Sequence, residues 1–380
     1  MSSTTECRRD DAPERDRVSR LSARAGGTCC ASRFADFDSP PSGGVVTPSQ
    51  VLAQYAPDAG LGTSLAAFPR TGRLRQRFEE NPLLMAPMAG VSDAAYRMMA
   101  RAGGAALAYS EMVSVAGLHY GSEKTWELAL PRDPEPDLAV QLFGSEPDQF
   151  REAAAAVCER LGERLALIDI NMACPVPKVT KGGGGSALLD DAVRAARIVQ
   201  ACVEESCVPV TVKIRRGRRM DEEVAPEFAR AMEQAGAQAI AVHGRFANQL
   251  YRGQASWEAV ARVVRAVEVP VIGSGDVMSY ADAHAMMERT GCVAVMVARG
   301  SYGNPWLFSG TVPTTQQRLC AFACHVHLLE ATGAHLARAR SLAGWYLRGM
   351  PHAAAWRNRA MTCHTVADYL SMADELSRKG

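Results

Sequence analysis

The chain carries VPVTVKIR at residues 208–215, AIAVHGR at 239–245, VPVIGSG at 269–275 and AVMVARG at 294–300. These four runs are rich in Val, Ile and Ala and alternate little between polar and apolar residues. That pattern is typical of parallel strands buried on both faces. Between the first two, residues 222–235 place Val224, Phe228 and Met232 on one side of a helix. This stretch therefore predicts repeated strand–helix units.

Four similar runs precede this stretch: PLLMAPM (82–88), LAYSEM (107–112), LAVQLFG (138–144) and LALIDINM (165–172). A helix is expected over 190–206, with Val193, Ala196, Val199 and Val203 on one side. Eight strands with intervening helices predict an α/β fold of the (β/α)8 TIM barrel type. A doubly wound open sheet is the alternative, but no GxGxxG motif follows the first strand to support it.

The barrel pattern divides the chain into three regions. Residues 1–75 contain Ser, Arg, Gly and Pro clusters without a sustained period, so we expect a disordered extension. Residues 76–312 form the predicted catalytic barrel, and 313–380 a small C-terminal helical domain. From residue 316 onward this tail holds 8 basic and 4 acidic residues. It is either a docking surface for nucleic acid or a helical bundle that closes the barrel.

Composition excludes several classes of protein. The chain has 380 residues and a net charge of +1, which argues against a protein wholly adapted to nucleic acid. No uncharged apolar run is long enough for a transmembrane helix. Its 11 cysteines include no CxxC pair, so neither a disulfide framework nor a structural zinc site is expected. We expect a cytoplasmic, metal-free monomer.

Polar residues cluster where the predicted strands end, which is where barrels of this type hold their active sites. The candidates that share this placement are Gln141, Asn171, Cys174, Lys213, Arg215 and His243. Lys213 is the most informative, since an ammonium group inside VPVTVKI needs an anion to offset its loss of hydration. That anion is either a barrel carboxylate, such as Glu111 or Asp169, or a ligand that becomes anionic during a reaction.

The loops after the last two strands indicate the kind of ligand. Ser274-Gly275-Asp276 and Ala298-Arg299 stand where barrels commonly bind phosphate. The run Pro87-Met88-Ala89-Gly90, mostly of small residues, ends the first strand and lets a flat ring approach the backbone. A phosphorylated planar cofactor fits this arrangement, and flavin mononucleotide (FMN) is such a cofactor.

Cys174 lies between Ala173 and Pro175 at the end of the fourth strand. A buried core cysteine is the usual interpretation of such a residue. Its place before a loop with four consecutive glycines, 182–185, instead favours a chemical role. We interpret that loop as a flexible lid, because it lacks the residue order of a P-loop.

The motifs APMAGVSDAAYR, VQLFG, DINMACPVPKV, VKIR, VHGR and GSGDV occur in one order and spacing across roughly 82–310. In this the sequence resembles the tRNA-dihydrouridine synthases, specifically their bacterial-type branch. The tail, with WYLRGMP and WRNRAM, is similar to the tRNA-binding domain of that family. Three departures stand out: Ser274 replaces the usual Asn, Ala298 a common Gly, and Arg340-Ser341-Leu342 the usual Arg-Lys-His.

The resemblance implies an enzyme that reduces the C5=C6 bond of uridines in tRNA, with NADPH reducing bound FMN. Hydride would pass from the flavin to C6, and Cys174 would give a proton to C5. Asn171 would orient the uracil, Lys213 would stabilise the reduced flavin, and Arg215 with the arginines at 216, 218 and 219 would hold tRNA phosphates. The resemblance further implies that the cofactor contacts Pro87, Met88, Ala89, Gln141, His243, Ser274, Gly275, Asp276, Ala298 and Arg299.

Two alternatives remain at this point. One is an FMN-dependent oxidoreductase of a free pyrimidine, similar to a dihydroorotate dehydrogenase, which would have no use for a basic helical tail. The other is a non-catalytic RNA-binding barrel, which would have no use for Cys174, Lys213 and His243 together.

Overall fold

The computed structural model describes residues 46–379, and its centre is a closed barrel of eight parallel strands. Each strand pairs with the next along the chain, and the eighth pairs with the first. The strands are β1 Leu83–Met85, β2 Leu107–Ser114, β3 Leu138–Phe143, β4 Leu165–Met172, β5 Val210–Arg215, β6 Ala239–His243, β7 Val271–Ser274 and β8 Ala294–Val297. The TIM barrel expected from the eight apolar runs is confirmed.

Helices surround this barrel and continue beyond it. Those that precede or cover the strands are α1 Pro48–Tyr55, α2 Leu74–Glu80, α3 Ala94–Ala102, α4 Val115–His119, α5 Glu123–Ala129, α6 Pro147–Leu161, α7 Pro177–Thr180, α8 Ala192–Glu205, α9 Ala225–Gln234, α10 Trp257–Val264 and α11 Tyr280–Thr290. Those after β8 are α12 Thr315–Ala331, α13 Ala339–Tyr346, α14 Ala353–Ala360 and α15 Val366–Lys379. Single 3-10 turns lie at Gly162–Arg164, Gly185–Asp190, Ala247–Gln249, Arg299–Ser301, Pro305–Phe308 and Leu336–Arg338.

Strand register aligns the polar residues in two layers near the carboxyl end of the barrel. In the lower layer, Gln141 pairs in register with Asp169, and Asp169 with Thr211. In the next layer Asn171 pairs with Lys213. Parallel strands bring their carboxyl ends to one rim, so side chains far apart in sequence share one mouth.

A second apolar core lies beside the barrel. Helices α12–α15, here called the helical unit, enclose it with side chains such as Phe322, Tyr346 and Tyr369. The barrel helix α3 contributes Met98 and Met99 to the same core. The helical unit is therefore packed onto the barrel through apolar contacts.

Residues 46–75 are folded, and the expectation of a disordered extension over 1–75 was wrong for them; residues 1–45 lie outside the described part. Helix α1 begins with a capping box between Thr47 and Gln50 and buries Leu52 and Tyr55 against α12. The Tyr55 hydroxyl lies 2.8 Å from Nε2 of His327. Sequence texture alone missed this helix, because its apolar face spans only eight residues between Ser, Gly and Pro clusters.

The segment after α1 continues onto the barrel. Trp306 donates to the carbonyl of Ala59 at 2.8 Å, and the backbone N–H of Phe68 donates to Asp137 at 2.5 Å. The Phe68 ring packs against Phe78 in the barrel core. Residues 46–72 therefore bridge the helical unit and the barrel.

Candidate active site

A cavity of about 540 Å³ opens at the carboxyl ends of the strands. All fourteen residues that the sequence analysis singled out as site residues line it: Pro87, Met88, Ala89, Gln141, Asn171, Cys174, Lys213, Arg215, His243, Ser274, Gly275, Asp276, Ala298 and Arg299. The structure thus brings together residues from seven strand ends, as the barrel topology requires.

A chain of hydrogen bonds between buried polar side chains runs across the floor of this cavity. Thr211 donates to one oxygen of Asp169 and Gln141 donates to the other, each at 2.6 Å. Gln141 in turn accepts from the Asn171 amide at 2.7 Å. Burial raises the pKa of Asp169 to about 6, while the two hydrogen bonds and the charge of Lys213 oppose that rise. These hydrogen bonds fix the orientation of the Gln141 carboxamide and, through it, that of the Asn171 side chain.

Asn171 holds the turn that presents Cys174. Its Oδ1 accepts from the backbone N–H groups of Ala173 at 3.1 Å and Cys174 at 2.9 Å. The Cys174 sulfur accepts from the N–H of Val176, and burial raises the pKa of the thiol. At neutral pH the thiol therefore keeps its proton beside the cavity.

The second half of the glycine quartet packs against this same turn, which differs from the expected flexible lid. Gly184 and Gly185 are buried, and the N–H of Ser186 donates to the Cys174 carbonyl at 2.9 Å. A Cβ atom at Gly185, whose φ is +58°, would lie 2.7 Å from that carbonyl oxygen. Glycine is needed here for close approach of two backbones, so the loop supports Cys174 from behind.

Lys213 has no hydrogen bond or ion pair with any residue in 46–379. Asp169 is hydrogen-bonded to Gln141 and Thr211 and acts on Lys213 only through its charge, and Glu111 pairs with Arg338, so neither suggested carboxylate forms an ion pair with Lys213. Burial, aided by the charge of Arg215, lowers the pKa of Lys213 to about 8. A buried ammonium without an ion pair in the described residues, on the wall of a cavity, is suited to bind an anionic ligand.

The far side of the cavity carries further positive charge. Asp276 accepts from Arg245 at 2.7 Å and from Arg299 at 3.0 Å. Although burial acts to raise it, the pKa of Asp276 is lowered by its hydrogen bonds from Arg245 and the N–H of Ala255 and by both guanidinium charges. Asp276 thus orients Arg299 toward the cavity, and its carboxylate is already occupied.

His243 stands between these two cationic regions. Burial first, and then the charges of Lys213 and the nearby arginines, lower its pKa well below the usual range. Arg245 lies with Nη1 3.5 Å from Nε2 of the ring. The imidazole is therefore neutral at neutral pH.

Arg215 is placed differently from the expected rim position. Its side chain is buried and donates to the carbonyls of Ala173 at 2.9 Å and of Phe246 and Leu250 at 3.0 Å. It ties the end of β4 to the loop after β6 while it lines the cavity. The arginines beyond it are also engaged, in the pairs Arg216–Glu223, Arg218–Asp190 and Arg219–Glu222.

Tyr251 is the main lining residue that sequence reasoning missed. Its side chain is 60% exposed, and the guanidinium carbons of Arg215 and Arg299 lie 5.9 and 5.1 Å from its ring centre. The sequence did contain a signal, because Tyr251 is an aromatic residue in the loop after β6, and such loops form the active sites of barrels. The other missed lining residues include Met112, Met278 and Tyr302.

The cavity fits a flat ligand that carries negative charge. Lys213 supplies a buried cation, and Arg299, which pairs with Asp276, supplies a partly exposed one. Pro87–Ala89 supply a wall without long polar side chains. At Gly275, with φ +115°, a Cβ atom would lie 2.7 Å from Ala255 and 2.9 Å from His243, so backbone alone fits there. Fold and site together define a TIM barrel whose cavity presents cationic side chains beside a protonated thiol.

Comparison with known proteins supports a more specific assignment. Residues 84–379 match the family model described as dihydrouridine synthase (Dus). A probable tRNA-dihydrouridine synthase of Rickettsia conorii is 36% identical over 292 residues, which cover 72% of this chain and 87% of the relative. The tRNA-dihydrouridine synthase B of Pseudomonas aeruginosa is 38% identical over 292 residues, covering 73% and 87%. This chain belongs to the dihydrouridine synthase family.

No cluster of three or more His, Cys, Asp or Glu side chains within 46–379 is arranged to hold a metal ion. In the same part of the chain, none of the helices combines the length and apolar character needed to cross a membrane.

Proposed function

We propose that this chain is a tRNA-dihydrouridine synthase, which reduces the C5=C6 bond of uridine in tRNA to 5,6-dihydrouridine. The observation that carries the proposal is that the Lys213 ammonium, which has no ion pair in the described residues, and the protonated Cys174 thiol line one cavity. Reduction of a conjugated C=C bond needs a hydride and a proton, and the proton must come from a group that is protonated at neutral pH. Membership of the family disfavours the dihydroorotate dehydrogenase-like and non-catalytic alternatives.

We infer that FMN is the cofactor. When bound, it supplies the hydride, and NADPH is its reductant. Pro87, Met88, Ala89, Gln141, Lys213 and His243 would hold its ring system. Ser274, Gly275, Asp276, Ala298 and Arg299 would hold the phosphate end, with Asp276 acting through Arg299. Lys213 keeps a positive charge on the cavity wall, which favours an anionic form of the ligand.

Cys174 is the residue that we assign to substrate protonation. Its sulfur holds a proton because burial disfavours the thiolate, and transfer of that proton to C5 completes the addition across the double bond. Asn171 acts here through the Cys174 turn, since its amide oxygen and nitrogen already have protein partners. The target base must leave its stack to reach the cavity, which costs a few kcal/mol.

The helical unit is proposed as the tRNA-docking surface. It carries the exposed Arg348 after α13, and the charge excess of the tail favours phosphate binding. A monomeric state and a cytoplasmic location stay predictions from the sequence.

The visible absorption spectrum of the purified protein tests this function. We expect flavin bands that bleach on anaerobic addition of NADPH and return when unmodified tRNA is added. Bleaching without return on tRNA would keep the flavin and exclude tRNA as the acceptor. A colourless protein that takes up no added FMN would overturn the redox assignment.

A further inference from the structure

Arg338 connects the helical unit to the cavity of the barrel. It lies in the 3-10 turn Leu336–Arg338, between α12 and α13. Its Nη1 is 2.7 Å from Oδ2 of Asp93, and its Nη2 is 3.2 Å from Oε1 of Glu111. One guanidinium thus bridges two barrel carboxylates that come from different elements, the N-terminal cap of α3 and strand β2.

The second oxygen of each carboxylate binds barrel backbone. Oε2 of Glu111 accepts from the N–H of Gly90 at 2.6 Å, and Oδ1 of Asp93 accepts from the N–H of Tyr96 at 2.8 Å. Gly90 has φ +75° and directly follows Pro87–Ala89, which line the cavity. A continuous path of hydrogen bonds therefore runs from Arg338 through Glu111 to the loop on the cavity wall.

Neither carboxylate has a second ion pair within residues 46–379. Their side chains are only 14% exposed for Asp93 and 11% for Glu111, whereas that of Arg338 is 32% exposed. The nearby Arg97 donates to Glu135 instead. Loss of Arg338 would leave two mostly buried carboxylates unpaired, which is costly and favours movement of the segments that carry them.

We propose that Arg338 is a positioning residue that holds the 87–90 loop in place from the helical unit. The helical unit thereby contributes to the geometry of the cofactor cavity as well as to tRNA docking. The part of this inference that concerns flavin rests on the proposed function; the part that concerns the loop does not.

The test compares Arg338→Met with Arg357→Met in the full chain. Arg357 is an exposed arginine of α14 without an ion pair in the described residues, so its loss removes the same charge from the same unit. Amide hydrogen exchange of peptides covering residues 86–93, measured without ligand, reports the loop directly. We expect exchange about tenfold faster in Arg338→Met and unchanged in Arg357→Met, with β4 peptides unaffected in both.

FMN binding to the apoprotein, followed by fluorescence, gives the second reading. We expect FMN affinity to fall about three- to tenfold in Arg338→Met only, with Arg338→Lys intermediate because an ammonium reaches one carboxylate. Normal exchange at 86–93 with normal FMN affinity would overturn the proposal, even if the KM for tRNA rose. If no variant takes up FMN, the exchange result still decides the role of Arg338.

Glu111→Gln carries the test if Arg338→Met does not fold. It keeps an oxygen for the Gly90 N–H but loses the charge that pairs with Arg338. Faster exchange at 86–93 in this folded variant supports the path through Glu111, and unchanged exchange contradicts it.

Discussion

The Oδ1 atom of Asn171 accepts a hydrogen bond from the backbone N–H of Cys174, with 2.9 Å between the two atoms. The same carboxamide donates through Nδ2 to Gln141 at 2.7 Å. Asn171 is thus the junction between the polar floor of the barrel and the turn that carries the thiol. A side chain on the penultimate residue of a strand is rigid enough to set the position of a group that reacts.

We predict that Asn171→Ala slows single-turnover reduction of tRNA by about 10- to 100-fold, because displacement of a reacting group by an ångström has effects of that order. Asn171→Asp keeps the acceptor for the Cys174 N–H, so we expect a smaller loss of rate than in Asn171→Ala. Some loss remains, because its second oxygen lies against the Gln141 oxygen. Rapid-mixing measurements on the reduced enzyme check both. Equal rates in wild type and Asn171→Ala would contradict this role.

Cys174→Ala should leave FMN bound and nearly abolish tRNA reduction, because the variant has no proton to give to C5. Flavin content from the visible spectrum and single-turnover rates separate the two effects. Cys174→Ser is the matched variant, with a hydroxyl that is a weaker acid than the thiol. An unchanged rate in Cys174→Ala would remove Cys174 as the acid.

A pH dependence follows from Lys213. Its pKa in the free protein is lowered to about 8, so the ammonium is present below that pH and is lost above it. We predict that the affinity of the apoprotein for FMN falls between pH 7 and pH 9 and that Lys213→Met binds FMN more weakly without this fall. Lys178→Met, which removes an exposed lysine of α7, is the control. The same pH profile in wild type and Lys213→Met would contradict the assignment.

The raised pKa of Asp169 predicts that the free energy of unfolding depends on pH. Its pKa is raised from 3.8 to about 6 by burial, so the folded protein binds its proton more tightly than the unfolded chain does. This group therefore reduces the free energy of unfolding as pH rises through that interval. Thermal melts should show that the Tm difference, Asp169→Asn minus wild type, becomes more positive from pH 4 to pH 7. A constant or falling difference would be inconsistent with this pKa.

The helix α1 gives a prediction on stability. Leu52 is fully buried against the helical unit, so Leu52→Ala should lower the free energy of unfolding by about 3 kcal/mol. Gln54→Ala, on the exposed side of the same helix, should change it by less than about 0.5 kcal/mol. Denaturant titrations of the two variants make the comparison. Similar values for both would mean that α1 adds little to the stability of the fold.

Helix α8 shows why a sequence pattern can predict an element and still misplace its buried face. We expected Val193, Ala196, Val199 and Val203 to lie together against the barrel. In the structure Val193 is 66% exposed and Val203 is 38% exposed. The buried stripe consists of Ala195, Ile198, Val199, Ala201 and Cys202. Small residues allow close packing of this helix, and a count of large apolar residues overlooks them.

The sequence by itself determined the barrel and the residues around its mouth. Eight apolar runs allow few other topologies, and parallel strands must end at the same rim. The partners of those residues were decided only by the tertiary structure. Asn171 binds the Cys174 turn, Asp276 orients Arg299, and Arg215 binds backbone carbonyls. These contacts require separate elements to be positioned to within a few tenths of an ångström. The same holds for the bridge by Arg338 and the packing of α1. Residue type and spacing along the chain do not encode such distances.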